Sequence, residues 1–138
     1  MNEFLTLFTR AAKLMRAAAD ESMSQHGVRV GQNLVLEALW ATDGLTPGEI
    51  AERVHLSTPT VVNTANRMVT GGLVTKKRDR TDGRLVRLYL TDRARSVRGD
   101  IEAGRDELER RATSGLTDAE RKAMLVAFRK MIATLEKD

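Results

Sequence analysis

Cysteine is absent from the 138 residues, so disulfide staples, thiolate metal sites and a thiol redox sensor are excluded. Proline occurs twice and glycine ten times, too seldom for a loop-rich or low-complexity chain. No run approaches the roughly 18 apolar residues of a membrane span. The start MNEFLTLFTRAAK lacks the basic segment and cleavage site of a secretory leader, so a cytoplasmic location is expected. Only two histidines are present, His26 and His55, and they are far apart in sequence. With no Gly-rich phosphate loop and no His-Glu-x-x-His pattern, nothing assembles a nucleophile, a base or a metal site. Neither an enzyme nor a bound cofactor or metal is expected.

What is present is a chain of one-domain length, 41% hydrophobic and 30% charged, which fits a helix-rich globular protein. Its net charge of +4 is unevenly spread. Between Lys76 and Arg98 stand nine Lys or Arg against three Asp, a local +6 that leaves −2 for the rest. Such a cluster is either a solvated face or the footprint of a phosphate-binding surface.

Apolar residues at three-and-four spacing predict a first helix over about 3–25, with Phe4, Leu7, Phe8, Ala11, Leu14, Met15 and Ala18 on one stripe. A second helix is predicted over 32–42, with Leu34, Val35, Leu39 and Trp40, before Asp43-Gly44 breaks it. Thr46-Pro47-Gly48-Glu49 is a capping box with proline at the first helical position, opening a short helix through Val54. His55-Leu56 makes a turn, and Ser57 caps a helix carrying Val61, Val62, Ala65, Met68 and Val69 that stops at Gly71-Gly72. Leu73 to Arg78 and Leu85 to Leu90 then flank a charged tip, and Val86, Leu88 and Leu90 alternate with Arg87 and Tyr89 as in a half-buried strand. Thr91 caps a helix expected to run unbroken to about Arg111, with Ala94, Val97, Ile101 and Leu108 on one face. A second capping box, Thr117 with Glu120, opens the last helix with Met124, Phe128, Met131 and Leu135 in register.

Two short helices joined by a tight turn and followed by a basic hairpin make a winged helix-turn-helix. The expected class is mainly α with a small β-hairpin, the winged lobe over 31–91 being flanked by long dimerisation helices over 1–30 and 92–138. In such a fold the second helix of the pair enters the major groove and the hairpin reaches the backbone or the minor groove. The candidate DNA contacts on that helix are Ser57, Thr58, Thr60, Asn63, Thr64 and Arg67. Ser57 also serves as a helix cap, Thr58 and Thr60 can be plain exposed polar residues, and Arg67 can reach a phosphate or an internal carboxylate. Asn63 is the candidate base contact, since asparagine pairs with the adenine edge. In the hairpin Lys76, Lys77, Arg78 and Arg80 are candidates for phosphate neutralisation, though strand alternation lets only some face DNA. Arg84 stands at the tip beside Asp82, and a carboxylate that orients such an arginine prepares it to enter a narrow minor groove.

The stretch LTPGEIAERVHLSTPTVVNTANRMVTGGLVTKKRDRTDGRLVRLYLT, with its Asp82-Gly83-Arg84 tip and its Leu88-Tyr89-Leu90-Thr91 strand ending, resembles the central region of the MarR family. The resemblance implies that Arg84 enters the minor groove and that the helix over 57–70 reads the major groove. Many members carry arginine where this chain has Asn63, so the docking mode carries over while the sequence preference does not. It also implies a homodimer on a palindromic operator, commonly a repressor, and release by a small aromatic or anionic effector. Arg16, His26 and Trp40 lie near the crevice where such an effector is expected; their plainer roles are a surface ion pair, a helix ending and core packing. Met124, Phe128, Met131 and Leu135 with Phe4, Leu7 and Phe8 are the expected dimer interface, unless they complete a monomeric core. The alternative function is a winged helix that binds protein without specific DNA recognition.

Overall fold

A computed structural model describes residues 2–137, with one compact unit up to Arg105 and a second from Asp106 onward. The first contains α1 (Glu3–Ser24), α2 (Gln32–Ala41), α3 (Pro47–Val54), α4 (Thr58–Thr70), β1 (Val74–Arg78), β2 (Val86–Leu90), α5 (Asp92–Ser96) and the first half of α6 (Arg98–Ala112). The end of α6 and α7 (Asp118–Glu136) form the second.

Local chemistry sets most of these boundaries. At α3 the Thr46 hydroxyl accepts the Glu49 N–H at 3.2 Å, and the Glu49 carboxylate accepts the Thr46 N–H at 3.0 Å. These two bonds satisfy amides that the first turn leaves unpaired. The helix ends at His55, whose φ of 58° is the one positive value at a non-glycine among the described residues. That left-handed residue turns the chain within three positions, and Ser57 restarts it by accepting the Thr60 N–H.

α4 buries Val61, Ala65 and Met68, an i, i+4, i+7 stripe. Val62 and Val69, expected on the inward face, are instead 36% and 40% exposed. At about 100° per residue they fall roughly a quarter turn from the stripe's centre. The core that receives α4 is built from Val35, Leu36 and Leu39 of α2, Ile50 of α3, Leu73, Val74, Leu88 and Leu90 of the hairpin, and Val28, Ala94 and Ile101.

β1 and β2 pair antiparallel, with Lys76 opposite Leu88 and Lys77 opposite Arg87. Leu45 adds a bridge on the other side of β2, where Leu88 donates to the Leu45 carbonyl and Gly44 donates to the Leu88 carbonyl. The hairpin is thereby fixed to the turn before α3.

The helix expected from Thr91 to about Arg111 is interrupted at Val97. The Ser96 hydroxyl donates to the Arg93 carbonyl at 2.8 Å, the Val97 N–H is shared between the Arg93 and Arg95 carbonyls, and Gly99 follows in the next turn. A serine bonding back to the ladder beside a glycine is an ordinary cause of a helix break. Ala94 and Ile101 are nonetheless buried on either side of it. In the second unit the Thr117–Glu120 capping box forms, and α7 buries none of its described side chains.

Candidate nucleic-acid interface

α4 turns a mostly polar surface outward. Thr58, Thr60, Asn63 and Arg67 are exposed and Thr64 is half-buried. Ser57 and Thr60 are tied together, their hydroxyl oxygens 2.8 Å apart. Asn63 has no side-chain hydrogen-bond partner among the described residues, so both ends of its amide are free. Three residues on, the Asn66 carbonyl oxygen accepts from the Lys76 ammonium and so links α4 to β1.

On one flank of α4, Thr64 and Arg67 line a cleft with Asp20, Arg29, Val30 and Gln32. Asp20 is already committed there. Arg29 donates to both its oxygens at 2.9 Å, and these bonds, with the Val30 N–H, hold its pKa below the ordinary value. Arg67 has no carboxylate partner among the described residues.

The ladder sorts the basic residues of the hairpin by face. Residues paired across two strands share a face, so Lys76 lies on the side of Leu88, toward α4, and Lys77 on the side of Tyr89. The Lys77 ammonium sits 5.4 Å from the centre of the Tyr89 ring, a cation–π contact. Arg78 and Arg80 are exposed, with no carboxylate partner among the described residues. At the tip Arg84 is 92% exposed, and its guanidinium donates to Asp82 at 3.2 and 3.4 Å while the Asp82 carboxylate also accepts the Arg84 N–H.

The wing loop is organised by two residues absent from the predicted set, Asp79 and Arg87. One Asp79 oxygen accepts the Arg87 guanidinium at 2.6 Å, and the other accepts the Thr81 hydroxyl, the Thr81 N–H and the Asp82 N–H. Arg87, then the Thr81 hydroxyl and the two amides, hold the Asp79 carboxyl far below the usual carboxylate range. Arg87 also donates to the Gly44 carbonyl and meets Glu49 of α3 at 3.3 Å. Asp79-Arg80-Thr81 is a recognisable side-chain turn signal, whereas the role of Arg87 needs the strand register.

Of the three residues predicted for an effector crevice, Trp40 and His26 are held by separate contacts. The Trp40 indole N–H donates to the Ala94 carbonyl at 3.1 Å, and Arg98 lies 5.7 Å from its ring centre. His26 stands 3.8 Å from Asp100, and its carbonyl accepts from Arg93. Arg16 is exposed on α1.

A short helix pair with an outward second helix, followed by a hairpin anchored to it, defines a winged helix-turn-helix protein. The family model described as "MarR family" matches residues 26–85. The HTH-type transcriptional regulator TtmR of Methylorubrum extorquens is 32% identical over 115 residues, which are 83% of this chain and 58% of the relative. The HTH-type transcriptional repressor MdtR of Bacillus subtilis is 33% identical over 100 residues, 72% of this chain and 64% of the relative. The chain thus spans about three fifths of the length of these relatives. The S. aureus MepR–DNA complex superposes with a TM-score of 0.86 at 26% identity, covering 97% of this chain and 99% of that one. Over residues 26–85 the chain matches the MarR family, and these relatives and this complex are what it is similar to beyond that stretch.

Proposed function

We propose that the protein is a dimeric, sequence-specific DNA-binding transcriptional regulator acting as a repressor on a palindromic operator. The observation that supports this reading is that Asn63 and Arg67 on α4 and Arg78, Arg80 and Arg84 on the wing are exposed and lack a structural commitment or keep their charge in solvent. Ser57, Thr58, Thr60 and Thr64 surround Asn63, and Lys77 adds charge from the far face of the hairpin. Arg84, oriented by Asp82, enters the minor groove while α4 lies in the major groove. MepR, whose fold this chain shares, is bound to DNA in its structure, and MdtR is named a repressor; both support the assignment.

In this reading residues 31–91 form the DNA-binding lobe, and 1–30 with 92–138 form the dimerisation lobe. A small aromatic or anionic effector held near Arg16, His26 and Trp40 would release DNA by favouring a separation of the two recognition helices that no longer matches successive grooves.

The test is selection of bound duplexes from a random pool by purified protein at near-physiological salt. A palindrome with half-sites about one helical turn apart is expected. Failure to enrich any sequence would count against DNA reading and favour a protein-binding winged helix.

A further inference from the structure

Resting on that reading of α4, we propose that the recognition helix is built for A·T base pairs, with Asn63 on an adenine and the exposed Val62 on the 5-methyl group of a neighbouring thymine. In the major groove adenine offers an acceptor and a donor that a free carboxamide matches with two bonds, and thymine alone offers a methyl group. Asn63 has both halves of its amide free. Asn66 does not, because its side-chain carbonyl oxygen already accepts Lys76; it serves to hold the wing against α4.

Val62 is otherwise hard to place. An aliphatic side chain on a recognition helix, 36% exposed beside Asn63 and outside the Val61, Ala65, Met68 stripe, contributes little to the core. On a thymine methyl it would bury apolar surface that water now covers. The common guanine readers are arginine and lysine, and α4 carries only one such residue, Arg67. It lies a turn past Asn63 on the flank that faces the Asp20–Arg29 cleft. The helix therefore lacks a guanine reader among its first turns, where base edges are met.

The experiment takes the operator recovered by selection and replaces single thymines by deoxyuridine, which removes only the methyl group, and single adenines by 7-deazaadenine, which removes only the N7 acceptor. One deoxyuridine position per half-site is expected to weaken the parent protein about fourfold, the worth of one buried methyl group. The same change should leave Val62→Ala unaffected. Asn63→Ala should lose roughly 5- to 150-fold per half-site of the parent operator and become indifferent to 7-deazaadenine at one position in each. Thermal melts of both variants check that exposed substitutions leave the fold intact. Recurrent G·C pairs at the positions α4 protects, or full sensitivity to deoxyuridine retained by Val62→Ala, would overturn the inference while leaving the regulator standing. A pool with no enriched sequence would overturn both.

Discussion

At the scale of single residues, the wing separates a side chain presented to solvent from the network that presents it. Among the described residues the Arg84 side chain hydrogen-bonds only Asp82, so Arg84→Ala should leave the melting temperature nearly unchanged. It should weaken operator binding, with the slope of log K against log salt falling by about one for each half-site in which a phosphate contact is lost. Unchanged affinity and slope in a salt titration would remove Arg84 from the interface. Arg87 acts at one remove, through Asp79. Arg87→Met should speed hydrogen exchange at the Thr81 and Asp82 amides, which Asp79 now accepts. Because the folded state lowers the Asp79 pKa, its stabilisation is present in full above the ordinary value of 3.8 and is lost as pH falls below it. The exchange difference between Arg87→Met and its parent should therefore be largest at neutral pH and shrink in acid; a difference independent of pH would assign it to lost packing. The Asp82–Arg84 contact was legible in the sequence because it spans two positions. The Asp79–Arg87 pair spans eight, and only the antiparallel register brings its ends together.

At the scale of elements, the caps and turns were legible and the exceptions were tertiary. Both capping boxes formed where Thr and Glu stand three apart, and the glycines after α4 ended it as expected. The break at Val97 escaped because the apolar spacing of Ala94, Val97 and Ile101 continues across it while one serine bond does not show in a periodicity. Val62 escaped because two adjacent valines both look like core until the helix is rotated into place. Substitutions at two positions probe the element boundaries. Ser57→Ala should cost about 1 kcal/mol of stability by removing the α4 cap, whereas Ser57→Gly should cost only a few tenths. If DNA affinity falls equally in both, measured beside denaturant melts, the hydroxyl acts on DNA as well as on the helix. Gly44 has φ 78°, and a Cβ there would stand 2.9 Å from the Tyr89 ring. Gly44→Ala should therefore destabilise by about 1–2 kcal/mol and displace the ring beneath Lys77. A melting curve matching the parent would show that the turn before α3 can relax.

At the scale of the whole molecule, what matters is the apolar surface each unit leaves uncovered. On α1, Phe4, Leu7, Phe8 and Leu14 are exposed, and on α7 so are Leu125, Val126, Phe128, Ile132 and Leu135, while Met124 and Met131 are only half-buried. A helix of 19 residues that buries no side chain gains little from its own packing, and most helical stability in proteins comes from burying an apolar face. Patches of this kind mark association surfaces, and in the proposed dimer a second copy of the chain would cover them and supply a second recognition helix about 34 Å from the first. Phe8→Glu and Ile132→Glu distinguish the possibilities, because on a free surface each would change stability by less than about 0.5 kcal/mol. In a dimer interface each would bury a charge without a partner. Sedimentation equilibrium of the parent should then give twice 15.3 kDa, with a melting temperature that rises with concentration, and both variants should move toward the single-chain mass. Their operator affinity should fall toward that of one half-site although α4 and the wing are untouched. A parent sedimenting at 15.3 kDa would leave those faces without the occupant assigned to them, and the palindrome would lose its physical basis.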